Sequence, residues 1–255
     1  MHIRVVTPIT TPGFTEAADF EPLARSDVRV SQTGLDVGPA SIESAFDEAF
    51  ALPDTIAKIV AAEREGVDAV VVDCMGDPGV DAGREATSML VLGPAQSAMH
   101  LAALLAHRFS IVTVLDAVVP LLEDLARKYG LAEKLCSVRS IDIPVLELTD
   151  HSRVVGALVE ESVKAIAEDG AHATVFGCTG MRGCAEGLRK SLAERGYPGI
   201  PVIDPVVAAF KLAEALVDLG LTPSQRTYPP PREKPLTGYD VALDRPQAIA
   251  AEVGA

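Results

Sequence analysis

The chain has 255 residues with 22 basic and 36 acidic side chains, a net charge of −14, and a hydrophobic fraction of 48%. That apolar fraction is enough to bury a large core and excludes wholesale disorder. The acidic balance, without a local cluster of Lys and Arg, argues against nucleic acid or an anionic membrane as a partner. No signal peptide is recognisable, the apolar runs fall short of the span of about 20 residues that a membrane helix needs, and four cysteines do not form a disulfide scaffold. We therefore expect a cytoplasmic protein with reduced thiols.

Short runs rich in Val and Ile alternate along the chain with longer amphipathic stretches. In the first half they predict a strand at 3–6, helices at 42–50 and 54–65 split by Pro53, a strand at 68–72, a helix at 81–88, a strand at 89–92 and a helix at 94–107. In the second half they predict a strand at 109–115, a helix at 117–128, strands at 137–141 and 145–148, a helix at 152–168, a strand at 173–176, a helix at 185–195, a strand at 202–203 and a helix at 206–219. This alternation is typical of the α/β class, with parallel sheets flanked by helices.

The two halves of the chain resemble each other. Residues 66–76 align with residues 170–180, so that Cys74 coincides with Cys178, and residues 5–7 align with residues 111–113. A duplication explains both matches and predicts two pseudo-symmetric α/β lobes with the active site in the cleft between them. We assign residues 1–102 plus about 206–228 to the first lobe and 103–205 to the second. The proline-rich stretch 222–238 predicts an extended segment; residues 229–255 form a proline-rich segment and C-terminal tail with one short helix near 247–253.

Cys74 and Cys178 each follow a strand and open a glycine-rich turn, which places both thiols at the carboxyl ends of strands, where ligands bind in parallel sheets. Backbone N–H groups at such a turn are expected to lower a thiol pKa from about 8.5 toward neutrality. If the lobes face each other, one sulfur can remove a proton from a substrate carbon while the other donates one from the opposite face, which inverts the carbon. Reacting atoms approach to about 3–3.5 Å, so the sulfurs are expected roughly 7 Å apart.

Several segments resemble those of one family. Residues 38–44 (GPASIES) with 47–49 (DEA), residues 74–85 (CMGDPGVDAGRE), residues 109–113 (FSIVT) and residues 177–181 (GCTGM) are similar to motifs of the aspartate/glutamate/hydantoin racemase superfamily, nearest the hydantoin and allantoin racemases. The resemblance spans about residues 2–220. It implies a two-lobed α/β fold, a cofactor-independent mechanism using two cysteines, no metal, and a small cyclic ureide as substrate. A homo-oligomer is expected.

Three departures from the family's patterns bear on the substrate. Aspartate and glutamate racemases carry Asn-Thr and Thr-Glu after their two cysteines, whereas this chain has Met75-Gly76 and Thr179-Gly180, which favours a cyclic ureide over a free amino acid. The N-P-N-T pattern of hydantoin racemases appears here as residues 7–10, TPIT. Val114 stands where a second Thr is common.

Besides the catalytic pair Cys74 and Cys178, we predict a set of substrate-binding residues from the strand ends, the glycine-rich turns and the GPASIES segment. Backbone donors in the turns suit the oxyanion of a ring carbonyl, and the hydroxyls suit ring N–H or C=O groups. Each Thr has an alternative role as a strand or helix cap, and Ser41 as the N-cap of the helix that follows. The predicted set is Thr7, Pro39, Ala40, Ser41, Met75, Gly76, Thr113, Thr179 and Gly180.

The leading hypothesis is racemisation at C5 of 5-substituted hydantoins, or of allantoin. A second enzyme hypothesis is a maleate-isomerase-like or arylmalonate-decarboxylase-like activity on the same fold. The presence of Cys74 counts against a decarboxylase, because those enzymes keep only the second-lobe thiol. A maleate isomerase needs donors for two carboxylates, and this sequence shows few candidates for them. A third hypothesis is a non-catalytic protein that binds a ureide in the cleft.

Overall fold

The computed structural model describes residues 1–232 and 234–239 and contains two parallel sheets of four strands each. The first sheet has the order β2-β1-β3-β4 and the second the order β6-β5-β7-β8. The strands are β1 (His2–Val6), β2 (Arg29–Thr33), β3 (Ala69–Val72), β4 (Leu90–Leu92), β5 (Phe109–Thr113), β6 (Leu135–Ser140), β7 (Thr174–Phe176) and β8 (Val202–Ile203). The repeated order confirms the predicted α/β class with two similar sheets.

Helices flank both sheets. They are α1 (Ala17–Phe20), α2 (Ala45–Arg64), α3 (Val80–Ala86), α4 (Pro94–Leu105), α5 (Val119–Lys128), α6 (His151–Ala167), α7 (Ala185–Glu194) and α8 (Pro205–Asp218). Among the helices of the described residues, none combines the length and apolar character that a membrane-spanning segment requires.

The central strands are apolar along their whole length because both of their faces are covered. In the first sheet, Val5 and Val71 lie in one cluster with Phe210 of α8, whereas Val70 and Val72 lie in another with Ile59 of α2. Successive side chains of a strand point to opposite faces. A continuous Val run therefore fills two cores at once, which explains why these strands were recognisable from sequence.

Two helices join the sheets. Helix α4 follows the first sheet in the chain, yet its residues Ala98 and Met99 pack in the core cluster of the second sheet with Phe109. Helix α8 follows the second sheet but packs on β3 and β4 of the first, and α4 and α8 pack against each other. The lobe boundaries drawn from the sequence stay a prediction.

The structure corrects several element predictions. Helix α2 runs unbroken through Pro53, because burial of Ala51, Thr55 and Ile59 outweighs the hydrogen bond that proline lacks. It begins at Ala45 rather than at residue 42.

Two strand predictions also differ. Strand β2 was missed, since its half-exposed RVSQT sequence lies at a sheet edge and lacks an apolar run. Val145–Glu147, predicted as part of a strand, forms a 3-10 turn after Pro144. The helix predicted near 247–253 lies outside the described residues.

Candidate active site

The carboxyl ends of β1, β3, β5 and β7 converge on a cavity of about 50 Å³. This convergence follows from the repeated strand order, which places the two cysteine-bearing turns beside the central strand of each sheet. Both Cys74 and Cys178 line the cavity, and both are free thiols. The lining consists of Thr7, Pro8, Ile9, Phe14, Ile42, Ser44, Asp73, Cys74, Met75, Gly76, Val114, Val118, Leu121, Val145, Gly177, Cys178, Thr179 and Gly180.

Burial dominates the electrostatics of the two thiols. It raises the pKa of Cys178 to about 12 and the pKa of Cys74 well above its ordinary value, and the neighbouring Cys178 raises the Cys74 pKa further. The N–H of Gly76, 3.4 Å from Cys74 Sγ, and the N–H of Gly180 at Cys178 lower these pKa values, but by less. The expected lowering toward neutrality is therefore wrong, because desolvation of a thiolate outweighs one backbone donor.

The glycines of the two turns lie close against neighbouring side chains. A Cβ at Gly180 would lie 2.7 Å from Leu148 Cδ1 and 3.6 Å from Cys178 Sγ. A Cβ at Gly76 would lie 2.6 Å from Glu48 Oε2. A side chain at either position would have to displace the Leu148 or Glu48 side chain, which favours glycine in both turns.

The structure brings some predicted binding residues to the cavity and leaves others outside it. Those in the lining are Thr7, Met75, Gly76, Thr179 and Gly180. Thr113 is buried outside the lining and donates its hydroxyl to the carbonyl of Gly177 at 3.0 Å, while Val114 lines the cavity instead. Of the two threonines at the first-strand ends, Thr7 therefore borders the cavity and Thr113 does not.

Pro39, Ala40 and Ser41 also lie outside the lining, although their segment does reach the cavity through Ile42 and Ser44. The carbonyl of Pro39 accepts the N–H of Thr10 at 2.9 Å, which ties the segment to the first lobe. The helix N-cap is Ser44, whose Oγ accepts the Asp47 N–H, so the assignment of that cap to Ser41 is wrong.

Asp73 is the main cavity residue that the sequence reasoning missed. It follows β3 directly, is 4% exposed and lines the cavity. Burial raises the pKa of its carboxyl to about 6, against the attraction of Arg182 and the contact with the Thr179 hydroxyl. The sequence did contain a signal for Asp73, which is an acidic residue directly after an apolar strand and next to Cys74.

Few ionisable side chains border the cavity. Among the described residues of its lining, Asp73 is the sole ionisable one apart from the two cysteines, and none is Lys, Arg or His. Across the described residues, no group of three or more His, Cys, Asp or Glu side chains is placed to hold a metal ion. A cavity without a cation offers a carboxylate ligand no counter-charge, whereas two thiols flanked by backbone donors suit proton transfer at carbon.

Comparisons with known proteins identify the family of this chain. Residues 3–213 match the family model described as Asp/Glu/Hydantoin racemase. The chain is 41% identical to a hydantoin racemase from Pseudomonas sp. (strain NS671), covering 93% of this chain and 95% of the relative, and 42% identical to one from Rhizobium meliloti, covering 94% and 99%. An allantoin racemase from Klebsiella pneumoniae superposes with a TM-score of 0.86 at 37% identity, covering 93% of this chain and 96% of that one. The chain therefore belongs to the Asp/Glu/hydantoin racemase family of isomerases.

Proposed function

We propose that this racemase inverts C5 of 5-substituted hydantoins without a cofactor, with Cys74 and Cys178 as paired acid and base. The observation that carries the proposal is the presence of both free thiols, one from each sheet, in the lining of one cavity. A ring bound between the cysteine-bearing turns would present its two faces to the two sulfurs.

The protonation states of the thiols fit such a reaction. One cysteine acts as thiolate and takes the C5 proton, the negative charge passes to the ring carbonyl oxygen, and the opposite thiol donates a proton to the other face. The raised pKa values mean that a thiolate in this cavity is a strong base and its partner stays protonated. The backbone N–H groups of Gly76 and Gly180 stabilise whichever sulfur is charged. After one turnover, the two sulfurs have exchanged roles.

The lining supports a ureide over the ligands of related folds. Amino acids, malonates and maleate carry carboxylates, and the cavity supplies no cation to receive them. A hydantoin is neutral, and its C5–H lies between a carbonyl and a ring nitrogen, which makes it acidic enough for two thiols to exchange.

Allantoin is the second candidate substrate, and the superposition on an allantoin racemase favours it. Allantoin is itself a hydantoin with a ureido group at C5, so the same two sulfurs would serve it. A panel of chiral 5-substituted hydantoins and allantoin, followed by optical rotation, ranks the substrates. If the protein only binds ureides, these compounds should raise its melting temperature while their optical rotation stays constant.

Replacement of either thiol tests the mechanism. Cys74→Ser and Cys178→Ser are each expected to lower racemisation by at least about 100-fold, because a hydroxyl is a far weaker acid and base partner at neutral pH. The measurement is loss of optical rotation together with deuterium uptake at C5 in D₂O by NMR.

The matched control is Cys136→Ser, since Cys136 belongs to β6 and donates to the carbonyl of Phe109 outside the cavity. It is expected to keep wild-type activity. Full racemisation by Cys74→Ser would rule out the two-base mechanism.

A further inference from the structure

Asp73 presents a hydrogen-bond acceptor that the protein leaves unused. Its Oδ1 is buried and has no hydrogen-bond partner among the described residues. The residue lies in the cavity lining beside Cys74, at the end of β3. A buried polar atom without a partner costs about 1–3 kcal/mol, so a native structure that keeps one calls for a reason.

The two hydroxyls nearest to this carboxyl in its electrostatics, those of Thr179 and Thr7, also have other partners. The Thr179 hydroxyl donates to the main-chain carbonyl of Asp73 at 3.2 Å. The Thr7 hydroxyl lies 2.7 Å from that of Thr15 and also accepts from the Gln32 amide. Both hydroxyls lie close enough to the Asp73 carboxyl to lower its pKa, yet neither forms a hydrogen bond with Oδ1.

Arg182, the cation that attracts the Asp73 carboxyl, forms no hydrogen bond with it. Arg182 lies outside the cavity lining, with its guanidinium 4.6 Å from the ring centroid of Phe20 and 3.5 Å from the carboxylate of Asp19. Its attraction acts on the Asp73 carboxyl, but no hydrogen bond joins the two residues. Nη1 of Arg182 is itself buried without a hydrogen-bond partner, so Asp73 Oδ1 receives no donor from the described residues.

The internal repeat shows that this carboxyl is an asymmetric feature. Asp73 aligns with Gly177, and each precedes a cysteine of the pair. A Cβ at Gly177 would lie 2.5 Å from Thr113 Cβ, so the second lobe has no room for a side chain there. A polar anchor in one lobe alone can fix which way round an unsymmetrical ring lies between two similar thiols.

We propose that the Asp73 carboxyl accepts a hydrogen bond from a ring N–H of the bound substrate and thereby selects ureides that carry this N–H. The inference rests on the proposed function, because it concerns the same cavity. A site built around a buried acceptor discriminates strongly against ligands that lack the donor, since their binding leaves the acceptor unpaired.

The test compares the 5-substituted hydantoin that the wild-type enzyme exchanges fastest with two analogues bearing the same C5 group. The oxazolidine-2,4-dione has oxygen in place of N1–H, and the 3-methylhydantoin lacks N3–H. Deuterium uptake at C5 is measured by NMR for each compound and divided by its uncatalysed rate, which removes differences in C–H acidity. The analogue that is exchanged poorly identifies the nitrogen whose N–H is bound.

We expect the wild-type enzyme to prefer the hydantoin over one analogue by at least about 100-fold. Asp73→Leu, which has the shape of Asp without an acceptor, is expected to reduce that preference to within about tenfold, and Asp73→Asn, which retains one acceptor oxygen, to keep most of it. The matched control is Thr55→Val, a buried change within α2 and outside the cavity lining, which should leave the preference unaltered. Equal preferences in the wild-type and Asp73→Leu enzymes would overturn the inference.

A binding measurement separates this inference from the proposed function. Calorimetric titration of the parent hydantoin into the Cys74→Ser/Cys178→Ser double variant is expected to show binding that weakens at least tenfold when Asp73→Leu is added. Weakened binding without exchange by the wild-type enzyme would overturn the racemase proposal and support the Asp73 contact. Unchanged binding alongside normal wild-type exchange would overturn the contact alone, and no binding with no exchange would overturn both.

Discussion

Burial determines the pKa values of the cysteines in this cavity more than the backbone turns on which they lie. Cys74 and Cys178 both sit at turns with backbone donors, an arrangement that usually favours a thiolate. Their raised pKa values show that the loss of water costs the thiolate more than one N–H group returns. A thiolate that forms in this cavity is therefore a stronger base than one in water.

Alkylation by iodoacetamide checks the raised pKa values of the two thiols. Because the pKa of Cys178 is raised to about 12, its thiolate fraction should grow with every increase in pH from 7 to 10, and the alkylation rate with it. The rates at Cys74 and Cys178 are followed by mass spectrometry of the peptides. The shapes of the two pH profiles are compared rather than the absolute rates, since access of the reagent to the cavity limits the rate at both cysteines. A plateau near pH 7 would show instead that the thiols ionise easily.

At the scale of elements, one loop residue holds two elements in place beside the cavity. Helix α4 has Gly93 as its N-cap, without a capping side chain, and the carboxyl of Asp77 takes that role from the turn after Cys74. Its two oxygens accept the N–H groups of Ala95 and Gln96, each at 2.9 Å, and the hydroxyl of Tyr129 at 2.7 Å. Asp77 has a φ of 49°, a left-handed conformation that Asp tolerates better than most residues.

Removal of this cap should cost stability. Asp77→Ala leaves two helix N–H groups and a tyrosine hydroxyl without their acceptor, and we expect the free energy of unfolding to fall by about 2–4 kcal/mol. Urea denaturation followed by circular dichroism measures the change. Asp124→Ala is the control, because Asp124 is exposed and pairs with Arg127 only within its own helix, which predicts a loss below about 0.5 kcal/mol. Equal losses in the two variants would contradict the capping role.

At the scale of the whole molecule, the site depends on contacts between the two halves of the chain. Glu43, in the GPASIES segment of the first lobe, accepts the main-chain N–H of Val145 from the second at 2.7 Å. The residues on either side of Glu43, Ile42 and Ser44, line the cavity together with Val145. The negative charge of Glu43 also contributes to the raised pKa of Cys178. This contact thus joins the cavity wall of one lobe to that of the other.

Two substitutions at Glu43 separate the hydrogen bond from the charge. Glu43→Ala is expected to raise KM for the substrate by about tenfold, the value of one hydrogen bond to a charged group. Glu43→Gln retains an acceptor for Val145 and should keep KM near the wild-type value. Glu43→Gln also removes the negative charge that raises the pKa of Cys178. The pH–rate profile of this variant should therefore shift to lower pH.

Steady-state kinetics of both variants across pH provide the check for Glu43. Glu133→Ala, a change at an exposed site on the second lobe, serves as the control and should behave as wild type. Identical KM values for the Ala and Gln variants would show that the interlobe hydrogen bond does not shape the cavity.

The sequence alone determined the α/β class, the two similar sheets and the position of both cysteines at strand ends, because continuous Val runs and a repeated strand–cysteine–glycine pattern are local signals. Only the tertiary structure decided which residues border the cavity. Thr7 reaches it and Thr113 does not, since Thr113 turns to the carbonyl of Gly177. The tertiary structure likewise places Asp73 in the cavity lining. Burial reversed the expected direction of the thiol pKa shifts, since desolvation depends on what the whole fold packs around a group and no sequence motif records it.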